Sequence, residues 1–100
     1  MVKHIVMWKL HEKADGRSRE TNARLMKQWL EELRTKIPAI QYLEVGLNIA
    51  ADEDAADVVL YSEFADQAAL QHYQQHPDHI KFKERIQHIR LDKRVVDYLI

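Results

Sequence analysis

The chain is one hundred residues long, carries fifteen basic and sixteen acidic side chains for a formal net charge of −1, and contains no cysteine. That balance offers no electrostatic footprint for DNA, RNA or an anionic membrane, and without thiols there is neither a disulfide framework nor thiolate chemistry. The length suits one domain over residues 1–100 with a single modest core, at a cytoplasmic address by default, and pairing with a second copy would add burial that so small a core lacks.

Val2 to Leu10 is rich in β-branched and aromatic residues and apolar on both alternating sets, with His4, Val6 and Trp8 on one side and Ile5 and Met7 on the other. It predicts a strand covered on both faces, and it is too short and too interrupted by charge for a signal peptide or membrane span. Asp15-Gly16 marks a turn. Met26, Trp29, Leu30, Leu33 and Ile37 then recur at helical spacing opposite Lys27, Gln28, Glu31, Glu32 and Arg34, predicting a long amphipathic helix that stops before Pro38. From Tyr42 the period falls to two, and Leu43, Val45, Leu47 and Ile49 form one side of a second strand. After the acidic loop at Asp52-Glu53-Asp54, Val58, Leu60, Ser62 and Phe64 alternate with Val59, Tyr61 and Glu63 in a third strand.

Asp66 is placed to cap a short helix whose inward face holds Ala69, Leu70 and Tyr73. Pro77 biases His76 out of the helical region and can open a further helix, on which His79, Phe82, Ile86 and Ile89 share a stripe. Arg94 to Ile100 ends the chain as a fourth strand. Strand, helix, strand, strand, broken helix, strand is the α+β order of the ferredoxin-like fold, βαββαβ with a four-stranded antiparallel sheet and helices on one face. The other face would carry Ile5, Met7, Val59, Tyr61 and Tyr98, too apolar in aggregate to be left in water, so a homodimer is expected.

The chemistry concentrates around Tyr73 and His79, a phenol and an imidazole on inward faces at either side of the break. With a cavity lined by His4, Trp8, Leu60, Phe82 and Val95, His79 could remove a proton α to a carbonyl as general base while Tyr73 hydrogen-bonds the enolate oxygen. An apolar setting would keep His79 neutral, and His4 could orient a substrate carbonyl or a water. The alternative is a buried polar pair, each satisfied by the other or by backbone. His72, His76 and His79 have the spacing of metal ligands on a helix, but the Pro77 break should turn His79 away and no cysteine or aligned carboxylate completes a shell, so neither a metal nor a cofactor is expected. Trp8 and Trp29 read as core or cavity wall, with no basic groove to make them a stacking platform for nucleic acid.

Several segments carry a resemblance over essentially the whole chain: Val2-Lys3-His4, Ile37-Pro38-Ala39, Ser62-Glu63-Phe64, His76-Pro77-Asp78-His79 and Val95-Val96-Asp97-Tyr98. Together they resemble the stress-responsive dimeric α/β-barrel (Dabb) domain family. The resemblance implies a ferredoxin-like subunit that pairs with itself so that two four-stranded sheets close into a barrel with the helices outside. The family mixes plant stress proteins, polyketide cyclases and bacterial proteins of unassigned role. In the cyclase branch the working residues fall at the positions of His79, Tyr73 and His4, and aromatic residues of the first helix line the pocket, where this chain offers Met26 and Leu30 with Trp29 alongside. The competing functions are therefore a noncatalytic stress-response or ligand-binding dimer with a small hydrophobic pocket, a cyclase-like or lyase-like enzyme acting on a hydrophobic carbonyl compound, and a cofactor-free monooxygenase taking a flat aromatic substrate. A cavity of about 300 Å³ or more reaching His79 separates the ligand-handling readings from a packed interior.

Overall fold

In the computed structural model, which describes all residues from 1 to 100, strand β1 (Val2–Leu10) runs through the centre of the sheet with Val2, His4, Val6, Trp8 and Leu10 turned into the core. Asp15 and Gly16 both take left-handed backbone angles, φ 53° and 74°, the geometry of a two-residue hairpin turn, and they join the short strands β2 (Lys13–Ala14) and β3 (Arg17–Ser18). Asn22 pins this hairpin to the next helix: its side-chain amide donates to the Ala14 carbonyl at 3.1 Å, and its oxygen accepts from Arg17 Nε at 2.6 Å. That bonding accounts for a fully buried asparagine.

Helix α1 (Arg19–Lys36) starts at Ser18, whose hydroxyl accepts from the Thr21 N–H, and ends before Pro38 as its sequence requires. Met26, Leu30, Leu33 and Ile37 are buried, whereas Trp29 lies half-buried beneath the Arg85 guanidinium, 5.2 Å from the ring centre. Strand β4 (Tyr42–Leu47) is shorter than the period-two pattern implies. Ile49 lies outside it and is fully exposed, because the Asn48 side chain bonds both backbone groups of Ala50 and turns the chain outward.

Strand β5 (Val58–Phe64) follows, then α2 (Gln67–Gln75) capped by Asp66, and α3 (Pro77–Arg85) capped by His76. Strand β6 (Arg90–Leu99) begins four residues earlier than the β-branched run suggests, because its ladder with β1 extends through a bulge to the pair Leu10 and Arg90. The sheet order is β4-β5-β1-β6 and every pair is antiparallel, so the architecture is the ferredoxin-like α+β fold.

Register places Ile5 opposite both Tyr61 and Val96, Met7 opposite Val59 and Arg94, and Lys3 opposite Tyr98. Ile5, Met7, Val59, Tyr61 and Tyr98 therefore share the face turned away from the helices, together with Val96, and Met7, Val96 and Tyr98 are exposed. This face is not uniformly apolar. At one end Lys3 bonds Tyr61 and Glu63, Tyr61 donates to Glu63 at 2.6 Å, and Tyr42 stacks edge-on against Tyr61. No helix is long and apolar enough to cross a membrane.

Candidate functional site

Two features of the fold open a cavity. The Pro77 break sends α3 off at an angle, so that α3 lies against α1 and α2 while its backbone stands off the sheet. The helix layer also stops short of the last strand, and no helix backbone lies against β6. The gap between α3 and the inner faces of β1 and β6 is a cavity of about 550 Å³. Its wall includes all seven residues singled out above: His4, Trp8, Leu60, Tyr73, His79, Phe82 and Val95. Met26, Leu30 and Trp29 do not reach it; the first two are sealed in the core and the third faces α3 from outside, so the first helix contributes no wall here.

Tyr73 is 1% exposed and packs its ring against Phe64 at 5.1 Å and His79 at 4.4 Å between centroids. Its hydroxyl has no hydrogen-bond partner, and burial pushes the phenol well above its ordinary pKa, so it is held as a neutral O–H donor. The pair is thus stacked and not mutually hydrogen-bonded. Trp8, edge-on to Phe82 at 6.0 Å, likewise buries an indole N–H without a partner.

His79 is half-buried and sits in the first turn of α3. Its Nδ1 lies 3.2 Å from the Gln74 carbonyl, which can only accept, so Nδ1 carries the proton and Nε2 keeps a free lone pair. Burial lowers its pKa to about 4, helped by the positive charges of Lys83 and Lys93 and by His4 and opposed by the Gln74 carbonyl, so the ring is neutral at physiological pH.

His4 is buried on β1, and its Nδ1 pairs with the Asp97 carboxylate directly opposite on β6. The carboxylate accepts from Nδ1–H, so Nε2 is the ring nitrogen of His4 left without a protein partner. Asp97 carries no role in the pattern-based reading. It lies 93 residues from His4, and only the strand register joins them; the available signal was an acid alternating with Val95 on the inward set of a terminal strand. His76 accepts the Asp78 N–H on its Nδ1 and stacks edge-on to His72 at 6.0 Å, on the side of the break away from the cavity wall. No group of three or more histidine, aspartate or glutamate side chains is placed to hold a metal ion.

The fold and this site define a ferredoxin-like α+β protein with a cavity of small-molecule size between its helix layer and its sheet edge. Residues 2–100 match the model of the Stress responsive A/B Barrel Domain, and the chain belongs to that family, Dabb. Its backbone is similar to a dimeric protein of unknown function and ferredoxin-like fold from Bacteroides fragilis, with 30% identity and a TM-score of 0.87 over 99% of this chain and 95% of that one. A Dabb family protein with a ferredoxin-like fold from Mesorhizobium loti is 27% identical with a TM-score of 0.74, covering 99% and 95%. The hydroxynitrile lyase of Passiflora edulis shares the fold at 16% identity, with a TM-score of 0.83 over 99% of this chain and 92% of the lyase. A comparison with curated protein sequences found no match.

Proposed function

We propose that this chain acts as a single-domain homodimer, cytoplasmic as its lack of cysteine suggests, in which each subunit binds a small hydrophobic carbonyl or aromatic compound in the cavity beneath α3. The observation that carries the reading is the cavity itself. Its volume of about 550 Å³ lies within the range of small-molecule pockets, and apolar walls from Val6, Leu60, Phe82 and Ile86 surround a few convergent polar groups. The dimer is supported by the exposed Met7, Val96 and Tyr98 on the open sheet face and by the dimeric Bacteroides fragilis relative. Thermal-shift measurements with a panel of aromatic and polyketide-like carbonyl compounds test the pocket. A dose-dependent rise in melting temperature that Phe82→Ala removes supports it, and a panel with no shift at millimolar concentration rejects it.

A second reading, a cyclase-like proton-transfer enzyme, is favoured by one specific observation: two imidazoles, each with its Nδ1 engaged, border the same cavity, one of them held by a carboxylate. His79 would take the proton α to a carbonyl, Tyr73 would donate to the enolate oxygen, and His4, aligned by Asp97, would orient the carbonyl or a water. Because the Tyr73 hydroxyl is sealed, a substrate reaches it only when a neighbouring side chain, the stacked His79 ring first among them, turns aside. A base whose conjugate acid titrates near 4 is weak at neutral pH, which assigns His79 to an already acidified C–H, as between two carbonyls. Deuterium exchange at the central carbon of a 1,3-diketone, followed by NMR with wild type and His79→Ala, tests this reading; equal exchange rates would sink it.

A further inference from the structure

We infer that the molecule taken by this cavity is an apolar acid, a compact hydrophobic body bearing one carboxylate that settles among Lys83, Arg90 and Lys93. The inference deepens the ligand-binding reading above and rests on it. The three cations reach the cavity from three places, α3, the start of β6 and the inner face of β6. None of them has an ion-pair partner, and Glu84 is the one carboxylate among the lining residues. A chain whose net charge is −1 therefore concentrates three cations against one acid around this cavity.

Solvated surface lysines would spread apart, but Lys93 cannot. It sits half-buried on the inward set of β6, opposite Trp8, with its pKa lowered first by burial and then by Lys83 and Arg90. An anion placed between the cations relieves both burdens at once. The single carboxylate of Glu84 beside the site offsets only one of the three cations, so the charge left there is positive and draws an anionic head. Deeper in, Trp8, Phe82 and Leu60 offer aromatic and aliphatic surface with no counter-charge, so the body that follows the head must be apolar.

The test is isothermal titration calorimetry of the full chain with naphthalene-1-carboxylate and naphthalene-1-methanol, which share a ring system and differ in the head group. In wild type at low salt the acid should bind about tenfold more tightly than the alcohol, and its advantage should shrink as ionic strength rises. In Lys83→Gln with Lys93→Gln the advantage should fall to about twofold or less, while the affinity for the alcohol stays within about twofold of wild type. Equal affinities in wild type, or an acid preference that survives both substitutions, overturn the inference while leaving the cavity a ligand site. Failure of both compounds to bind wild type overturns the ligand-binding reading and this inference with it.

Discussion

Tyr73→Phe should make the protein more stable. A buried hydroxyl without a partner costs about 1–3 kcal/mol relative to one left in water, and Tyr73 is sealed with no acceptor or donor in reach. The substitution keeps the ring and hence its packing on Phe64 and His79. Against the gain stands the space of one oxygen, a void of roughly 15 Å³ that costs about 0.4 kcal/mol at 24 cal/mol per Å³. The net expectation is a stabilisation of about 1 kcal/mol, which for a domain of this length raises the melting temperature by about 4–8 °C. Differential scanning calorimetry of the two proteins at one fixed concentration measures it, the concentration being held because a dimer's melting point depends on it. The same variant should lose ligand-dependent stabilisation if the hydroxyl is a working donor, the pattern expected where a group is kept for function at a cost in stability. A variant less stable than wild type by about 1 kcal/mol or more would refute the reasoning, because the hydroxyl would then have a partner in solution.

Three further outcomes follow from the geometry. His79 titrates near 4 when folded and near 6.5 when unfolded, so the unfolded chain binds more protons between those values; this group's contribution is complete above pH 6.5 and is lost as pH falls toward 4. His79→Gln should flatten that part of the stability curve, and an imidazole midpoint above 6 by NMR would contradict the burial argument. Asp97→Asn should cost about 1 kcal/mol, below the usual range for a charge-assisted bond because Asp97 is partly exposed, and should weaken ligand response; denaturant melts unchanged from wild type would deny Asp97 its hold on His4. Val59→Lys places an ammonium opposite Met7 and Gly46 on the open sheet face and should convert dimer to monomer or aggregate in light scattering, whereas an intact dimer would move the interface elsewhere.

Element identity was legible where periodicity was long and caps were local. The alternation of β1 and β5, the stripe of α1 and the Asp66 and Pro77 signals all sit within a few residues of what they control. Legibility failed where a side-chain turn or a partner distant in sequence decided the outcome. Ile49 fits the alternation of β4, yet the Asn48 side chain ends the strand two residues before it. Arg90 to Lys93 carry little β-branched character and join β6 only because β1 offers a ladder for them. The residues of the candidate site were readable as types, a phenol and imidazoles in apolar rows, but their states were not. That Tyr73 lacks a partner, that His79 engages its Nδ1 with the Gln74 carbonyl, and that Asp97 holds His4 are facts of register and packing.

The cavity is better understood as uncovered sheet than as a carved pocket. An unbroken helix after β5 could have lain along the sheet and filled the space above β1 and β6 with a continuous apolar stripe. Pro77 prevents this by removing an N–H and fixing its own φ, so α3 starts afresh under the His76 cap and diverges. The strip of β6 left bare then alternates Lys93, Val95, Asp97 and Leu99 on its inner side, a mixture that would be costly beneath a packed helix but suits a wall facing a polar-headed ligand. The same break places His79 in the first turn of α3, where its ring lies over Tyr73 and its Nδ1 reaches back to the last turn of α2. One proline thus both opens the space and aims the imidazole at it, which explains why the sequence signal at the break and the chemistry of the site coincide.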